Sequence, residues 1–148
     1  MRLARRFLCT ALLALAVAPP AGAQSQSFSE GGAAIRGYDA VAYHTEGRPV
    51  RGNAAFTFDW SGATWRFASA ANRDLFAADP SRYAPAYGGF CAYAVSEGYT
   101  APTDPNAWRI VNGQLFLNYN RTIQRRWEQD IPGRILRGNA NWPRLSAS

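Results

Sequence analysis

The sequence predicts an α+β fold, with a small antiparallel sheet built from hairpins and short flanking helices, and three local patterns carry this prediction. Apolar and polar side chains alternate over residues 55–60, as in a half-buried strand. Asn112-Gly113 stands between two β-rich arms, the signature of a tight type I′ hairpin. Helical segments follow the strands without regular alternation, which favours α+β over α/β.

The chain begins with the pattern of a secretory signal peptide. Three arginines precede an apolar run, and the small residues "AGA" then end at Ala23. The run is too short for a stable membrane span, which needs about 20 apolar residues. We therefore expect cleavage after Ala23 and a periplasmic or secreted protein. The remaining chain is expected to have a flexible Ser/Gly/Ala-rich leader over 24–34 and one domain over 35–145.

The first half of this domain is predicted to hold one hairpin and one helix. Gly37 and Asp39 are turn residues before a short apolar segment that runs through Tyr43. The strand at 55–60 places Phe56, Phe58 and Trp60 on one face and returns through "SGAT" as a hairpin. Ser69 is the expected N-cap of a helix that Pro80 ends or extends by one turn.

The second half is predicted to be helix, hairpin and two further helices. We interpret "CAYAVSEG" as a short helix ended by Gly98, because Cys91, Ala94 and Val95 share a face at helical spacing. Asn120 is the expected cap of the helix after the second hairpin. A second, shorter helical piece is expected to end near Trp142-Pro143.

Charge and cysteine content limit the function classes. Without the first 23 residues, thirteen arginines face ten acidic residues, and no basic run or stripe indicates nucleic-acid binding. The expected partner is a small ligand or a metal ion.

Cys91 is the only cysteine after the signal sequence, so an internal disulfide is excluded. His44 is the sole histidine and therefore the sole imidazole base, and no G-x-S-x-G motif is present, so a Ser–His–Asp hydrolase is unsupported.

Several motifs resemble those of the YHS-domain proteins, and the chain is most similar to the exported bacterial group called YHS domain-containing (seleno)protein. The resemblance runs from about residue 35 to residue 143. The residues that carry it are Tyr38-Asp39, Val41, Tyr43, Trp65-Arg66-Phe67, Ser69, Phe76, Pro80, Tyr83 and the motifs "YGGFCAYAV", "LFLNYN", "RRWEQDIPG" and "ANWP".

The metal-binding branch of YHS domains implies three cysteines that this chain lacks. Ala42 stands at the cysteine of the D-P-V-C motif, while Ala68 and Asn72 stand at those of the F-C-S-x-x-C motif. Copper(I) and zinc depend on thiolate or imidazole donors. The metal site of that branch is therefore not transferred directly.

Three hypotheses remain for Cys91. With His44, it could bind copper or another soft metal ion. Alternatively, it is a redox thiol whose pKa is lowered in the first turn of a helix, and the resemblance to a group with selenocysteine-containing relatives adds to this view. Thirdly, it is a buried small hydrophobe in a non-catalytic interaction module. No complete catalytic set is evident, so an enzyme is less favoured than a binding domain.

Overall fold

The computed structural model describes residues 26–148. The signal peptide predicted over 1–23 lies outside the described residues. Six strands occur in this part of the chain: β1 (Ser29–Glu30), β2 (Ala33–Ala34), β3 (Asn53–Trp60), β4 (Ala63–Phe67), β5 (Trp108–Val111) and β6 (Gln114–Leu117). Six α-helices accompany them: α1 (Ala40–Thr45), α2 (Ala70–Ala78), α3 (Pro80–Tyr83), α4 (Ala92–Glu97), α5 (Arg121–Glu128) and α6 (Ile131–Ala147).

The α+β class is confirmed, and the strands pair locally. Each strand pairs only with its neighbour in the chain, so the described residues contain three two-stranded antiparallel sheets, β1-β2, β3-β4 and β5-β6. Asn112 and Gly113 both have positive φ, 49° and 79°, as the predicted type I′ turn between β5 and β6 requires. Short turns favour this pairing because they bring adjacent strands together at little entropic cost.

The predicted helix caps are confirmed. The Ser69 hydroxyl accepts a hydrogen bond from the Asn72 N–H at 3.1 Å, and α2 begins at the next residue. The Asn120 side chain accepts from the Ile123 N–H at 2.8 Å at the start of α5. Gly98 ends α4 in the left-handed conformation, with φ of 96°.

The prediction of a short last helix ending near Trp142-Pro143 is wrong. Helix α6 is 17 residues long, and Pro143 lies inside it. Tertiary contacts stabilise its C-terminal half and compensate for the helical hydrogen bond that is lost because proline has no N–H. The Asn141 amide donates to the Val95 carbonyl at 2.9 Å, and Leu145 is buried in the second core.

Residues 26–34, which the composition assigns to a flexible leader, are packed against the domain. Ser27 and Phe28 are buried, and the Phe28 N–H donates to the Gly88 carbonyl at 2.8 Å. Gly88 permits this close approach, since a Cβ there would lie 1.7 Å from the Gln26 oxygen. A composition rich in small residues therefore also suits a segment that lies directly on neighbouring backbone.

Two hydrophobic clusters meet at strand β6. Leu115 and Leu117 belong to the first cluster, with α1, α2 and the β3-β4 hairpin, whereas Phe116 belongs to the second, with α4, α5 and α6. This division follows from the alternation of side chains along a strand. Phe56, Phe58 and Trp60 pack against the first cluster, as their spacing predicts. No helix within residues 26–148 has the length and apolar character needed to cross a bilayer.

Candidate functional site

Cys91 is the N-cap residue of α4, and its sulfur is held by two adjacent residues that are distant in sequence. Its side chain is 1% exposed and reduced. The Tyr119 N–H donates to Sγ at 3.3 Å, and the thiol donates to Oδ1 of Asn118 at 3.6 Å. The Cys91 N–H donates to the Ala101 carbonyl at 3.0 Å. Cys91 therefore joins helix α4, the loop after it and the segment after β6.

Asn118 is fully buried, and only one end of its carboxamide is paired. Oδ1 accepts from the Tyr93 N–H at 3.0 Å as well as from the Cys91 thiol. The Tyr93 N–H can only donate, so the atom that it contacts is the oxygen and the amide orientation is fixed. Nδ2 has no hydrogen-bond partner among the described residues. An unpaired buried amide destabilises the fold by about 1–3 kcal/mol.

The Cys91 thiol is kept in its protonated form. Burial raises the pKa of Cys91, and this outweighs hydrogen bonds from the backbone N–H groups of Ala94, Tyr119 and Tyr93, which lower it. The redox hypothesis needs a lowered pKa, so the direction of this shift opposes it. Position at a helix start does not produce a thiolate when the sulfur is withdrawn from water.

A cavity of about 210 Å³ lies against Cys91, and we call it the Cys91 pocket. Its lining is mainly apolar and comes from α4, the following loop, the segment after β6 and α5: Cys91, Tyr93, Ala94, Tyr99, Ala101, Tyr119 and Ile123. No acidic or basic side chain contributes to this lining. The pocket is therefore suited to an uncharged molecule.

Two exposed tyrosines belong to this pocket. Tyr99 and Tyr119 are each 53% exposed, and they are the two aromatic members of the set of large exposed apolar residues in the described chain. Tyr93, the third tyrosine, carries the Arg134 guanidinium 4.2 Å from its ring centre, and Arg134 is paired with Glu97. Apolar ring area is therefore left open to solvent at the pocket, whereas the nearby charges are paired.

His44 lies on α1, among residues of the first hydrophobic cluster. Its Nε2–H donates to the Tyr83 carbonyl at 3.2 Å, and its ring meets the Tyr83 ring edge-on at 5.6 Å. Burial lowers the pKa of His44, the hydrogen bond to Tyr83 raises it, and the charge of Arg82 lowers it further. These contacts share no residue with those of Cys91. Across residues 26–148, no three His, Cys, Asp or Glu side chains lie close enough together to hold a metal ion.

The positions where the metal-binding branch carries cysteine converge on one carboxylate. Oδ1 of Asp39 accepts from the N–H of Val41 at 2.9 Å and of Ala42 at 3.1 Å. Oδ2 accepts from the N–H of Ala68 and from Nδ2 of Asn72, both at 2.8 Å. We call this arrangement the Asp39 cluster. It ties α1, the end of β4 and α2 together.

Sequence reasoning did not identify Asn118, Tyr99 or Tyr119 as part of a site. Their relation to Cys91 is long-range: Tyr119 contacts the sulfur across 28 residues of sequence. One local signal existed, since "LFLNYN" ends a buried strand with an amide that the alternation places inside. A buried amide needs partners, and this need points to a polar site.

Comparison with known proteins identifies the first part of the domain. Residues 41–87 match the family model of the YHS domain, a segment that begins in α1 and ends before Cys91. No curated protein and no solved structure matches the chain. The Cys91 pocket therefore lies C-terminal to the matched segment. Residues 41–87 of the chain therefore resemble a YHS domain, which confirms the resemblance to YHS domains over that segment.

Proposed function

We propose that this protein is a non-catalytic binding domain and that it holds a small, uncharged, mainly apolar molecule in the Cys91 pocket. The single observation that carries this proposal is the cavity of about 210 Å³ beside a buried thiol, with two exposed tyrosines in its lining. Concave, mainly apolar cavities with few polar groups are the usual form of small-molecule sites.

The state of the thiol supports binding over catalysis. A raised pKa makes Cys91 a weak nucleophile at neutral pH, and its hydrogen bonds hold the side chain in one position beside the pocket. A neutral thiol is a soft, polarisable surface that packs well against apolar ligands.

Titration with cyclohexanol, followed by backbone amide NMR, tests the proposal. We expect saturable shifts of the Ala94, Ala101 and Ile123 amides. The Ile123→Trp variant fills the pocket and should abolish these shifts. A matched variant, Leu136→Trp, changes a residue of α6 that is 72% exposed and should leave them intact. Shifts that persist in Ile123→Trp, or that scatter over the surface, would refute the proposed site.

A soft metal ion such as copper(I) is the second candidate. The observation in its favour is that backbone N–H groups already donate toward Sγ, an arrangement that stabilises the thiolate a metal would bind. A copper(I) site would use Cys91, with His44 as the second ligand of the sequence hypothesis. Titration against a competing chelator should then give one equivalent bound, lost in both Cys91→Ser and His44→Ala. Uptake that survives Cys91→Ser would remove the thiol from such a site.

Export to the cell envelope is part of the proposal. It rests on the basic, apolar and small-residue segments that end at Ala23. The intact mass of protein recovered from the periplasm should correspond to a chain that starts at Gln24. Recovery of the full-length chain in the cytoplasm would contradict it.

A further inference from the structure

We propose that the ligand of the Cys91 pocket is a small uncharged compound with a single aromatic ring. This inference rests on the proposed function and names the chemical class of its ligand. Three properties of the pocket lead to it: its size, the chemistry of its lining and the charges around it.

The size of the pocket matches one ring. An apolar cavity of about 150 Å³ in a protein is enough to bind benzene. The Cys91 pocket is larger, at about 210 Å³, which leaves room for a ring with one or two small substituents. Drug-sized ligands use cavities of about 300–1,000 Å³, so a ligand with several rings is too large.

The lining favours aromatic over saturated ligands. Three of its seven residues are tyrosines, and a fourth is Cys91. Ring–ring contacts contribute more free energy than the burial of apolar area alone. A planar ring can contact tyrosines from two elements at once, because α4 and the segment after β6 each contribute a tyrosine to the same cavity.

The surrounding charges disfavour a cation, which is the other class that tyrosine-rich pockets bind. The Arg134 guanidinium lies 4.2 Å from the centre of the Tyr93 ring and already uses that ring as a cation–π partner. Glu97, the acid beside it, is paired with Arg134. No carboxylate lines the pocket to balance a positive ligand.

Phenol and cyclohexanol form the decisive pair, because they have nearly the same size and both carry one hydroxyl group. We expect phenol to bind in the pocket about threefold to tenfold more tightly than cyclohexanol, as measured by amide NMR titration. The Tyr99→Leu and Tyr119→Leu variants should reduce this preference, while the matched Leu75→Ala variant, at an exposed residue of α2, should retain it.

The outcomes separate this inference from the proposed function. Equal affinity for phenol and cyclohexanol would overturn the aromatic class and leave a general apolar pocket. Tighter binding of tetramethylammonium than of phenol would overturn it in favour of a cation site. Failure of all three compounds to bind in the pocket would overturn both the class and the proposed site.

Discussion

The Asp39 cluster and the region of the Cys91 pocket each contain one fully buried polar side chain, Asp39 in the first and Asn118, which contacts Cys91, in the second. The two side chains differ in how completely they are hydrogen-bonded. The Asp39 carboxylate accepts four hydrogen bonds, two on each oxygen. The Asn118 amide has a doubly paired oxygen and an unpaired nitrogen, next to a thiol that lines a cavity.

This difference separates a structural site from a binding site. A buried polar group with all its partners stabilises one arrangement of the chain and leaves no position for a ligand. A buried group with a missing partner destabilises the fold, and such groups are retained in native proteins for a reason. The region that resembles a metal site in sequence is therefore closed, and the open region lies beyond the matched YHS segment.

The largest effect is expected from Asp39→Ala. Removal of the carboxylate leaves the buried N–H groups of Val41, Ala42 and Ala68 without an acceptor, and each such loss destabilises by about 1–3 kcal/mol. We expect urea unfolding to show a loss of about 4 kcal/mol or more. The control, Asp59→Ala, removes an exposed carboxylate from β3 and should change stability by about 0.5 kcal/mol or less. A loss near that of the control would show that the Asp39 cluster is not structural.

Asn118→Ala is expected to destabilise by about 2 kcal/mol, less than Asp39→Ala. It leaves the Tyr93 N–H without its acceptor but also removes the unpaired amide nitrogen. Urea unfolding measures this change, with Asn106→Ala as a control at an exposed amide. An effect as large as that of Asp39→Ala would mean that both polar groups are equally well paired.

The alkylation rate of Cys91 measures how far the thiol is buried beside the Cys91 pocket. Because burial raises the pKa of Cys91, alkylation by iodoacetamide at pH 7 should be at least about tenfold slower than that of the unfolded chain. The folded state binds the thiol proton more tightly than the unfolded state. Stability should therefore fall as pH rises through the ordinary range of the thiol, and this fall should be smaller in Cys91→Ala. Rapid alkylation at pH 7 would support the redox hypothesis instead.

The smallest effect concerns His44. Burial lowers the pKa of His44, so the unfolded state takes up its proton first as the pH falls below about 6.5. Its contribution to stability is complete above that pH and is lost as pH falls through the lower pKa of the folded state. The side chain is partly buried, and solvent screening should keep the difference below about 0.5 kcal/mol. Thermal unfolding of His44→Gln should show a weaker acid dependence than the parent, and an equal dependence would exclude His44 as its source.

Local patterns in the sequence predicted most of the elements because their causes are local. The caps at Ser69 and Asn120, the Asn112-Gly113 turn and the end of α4 at Gly98 each depend on residues within a few positions. The length of α6 depends on contacts with α4 across some 46 residues of sequence, and no local pattern carries that information.

The candidate site was predicted in part. Cys91 was identified as a chemically distinctive residue, but its environment depends on chain segments that meet only in the folded state. The raised pKa follows from burial of the thiol, and the Asn118 amide nitrogen is left without a hydrogen-bond partner among the described residues. His44 and Cys91 were candidates for one metal site as the only residues of their kind, and their observed contacts are with different residues. A shared metal site therefore stays a prediction.

Diffraction from a crystal pressurised with xenon tests most directly whether the Cys91 pocket can admit a ligand while the Asp39 cluster cannot. Xenon binds in apolar cavities large enough to hold it. We predict a xenon atom in the Cys91 pocket, between Ala94 and Ile123, and none beside the Asp39 carboxylate. Absence of xenon at Cys91, or its presence at Asp39, would contradict the account.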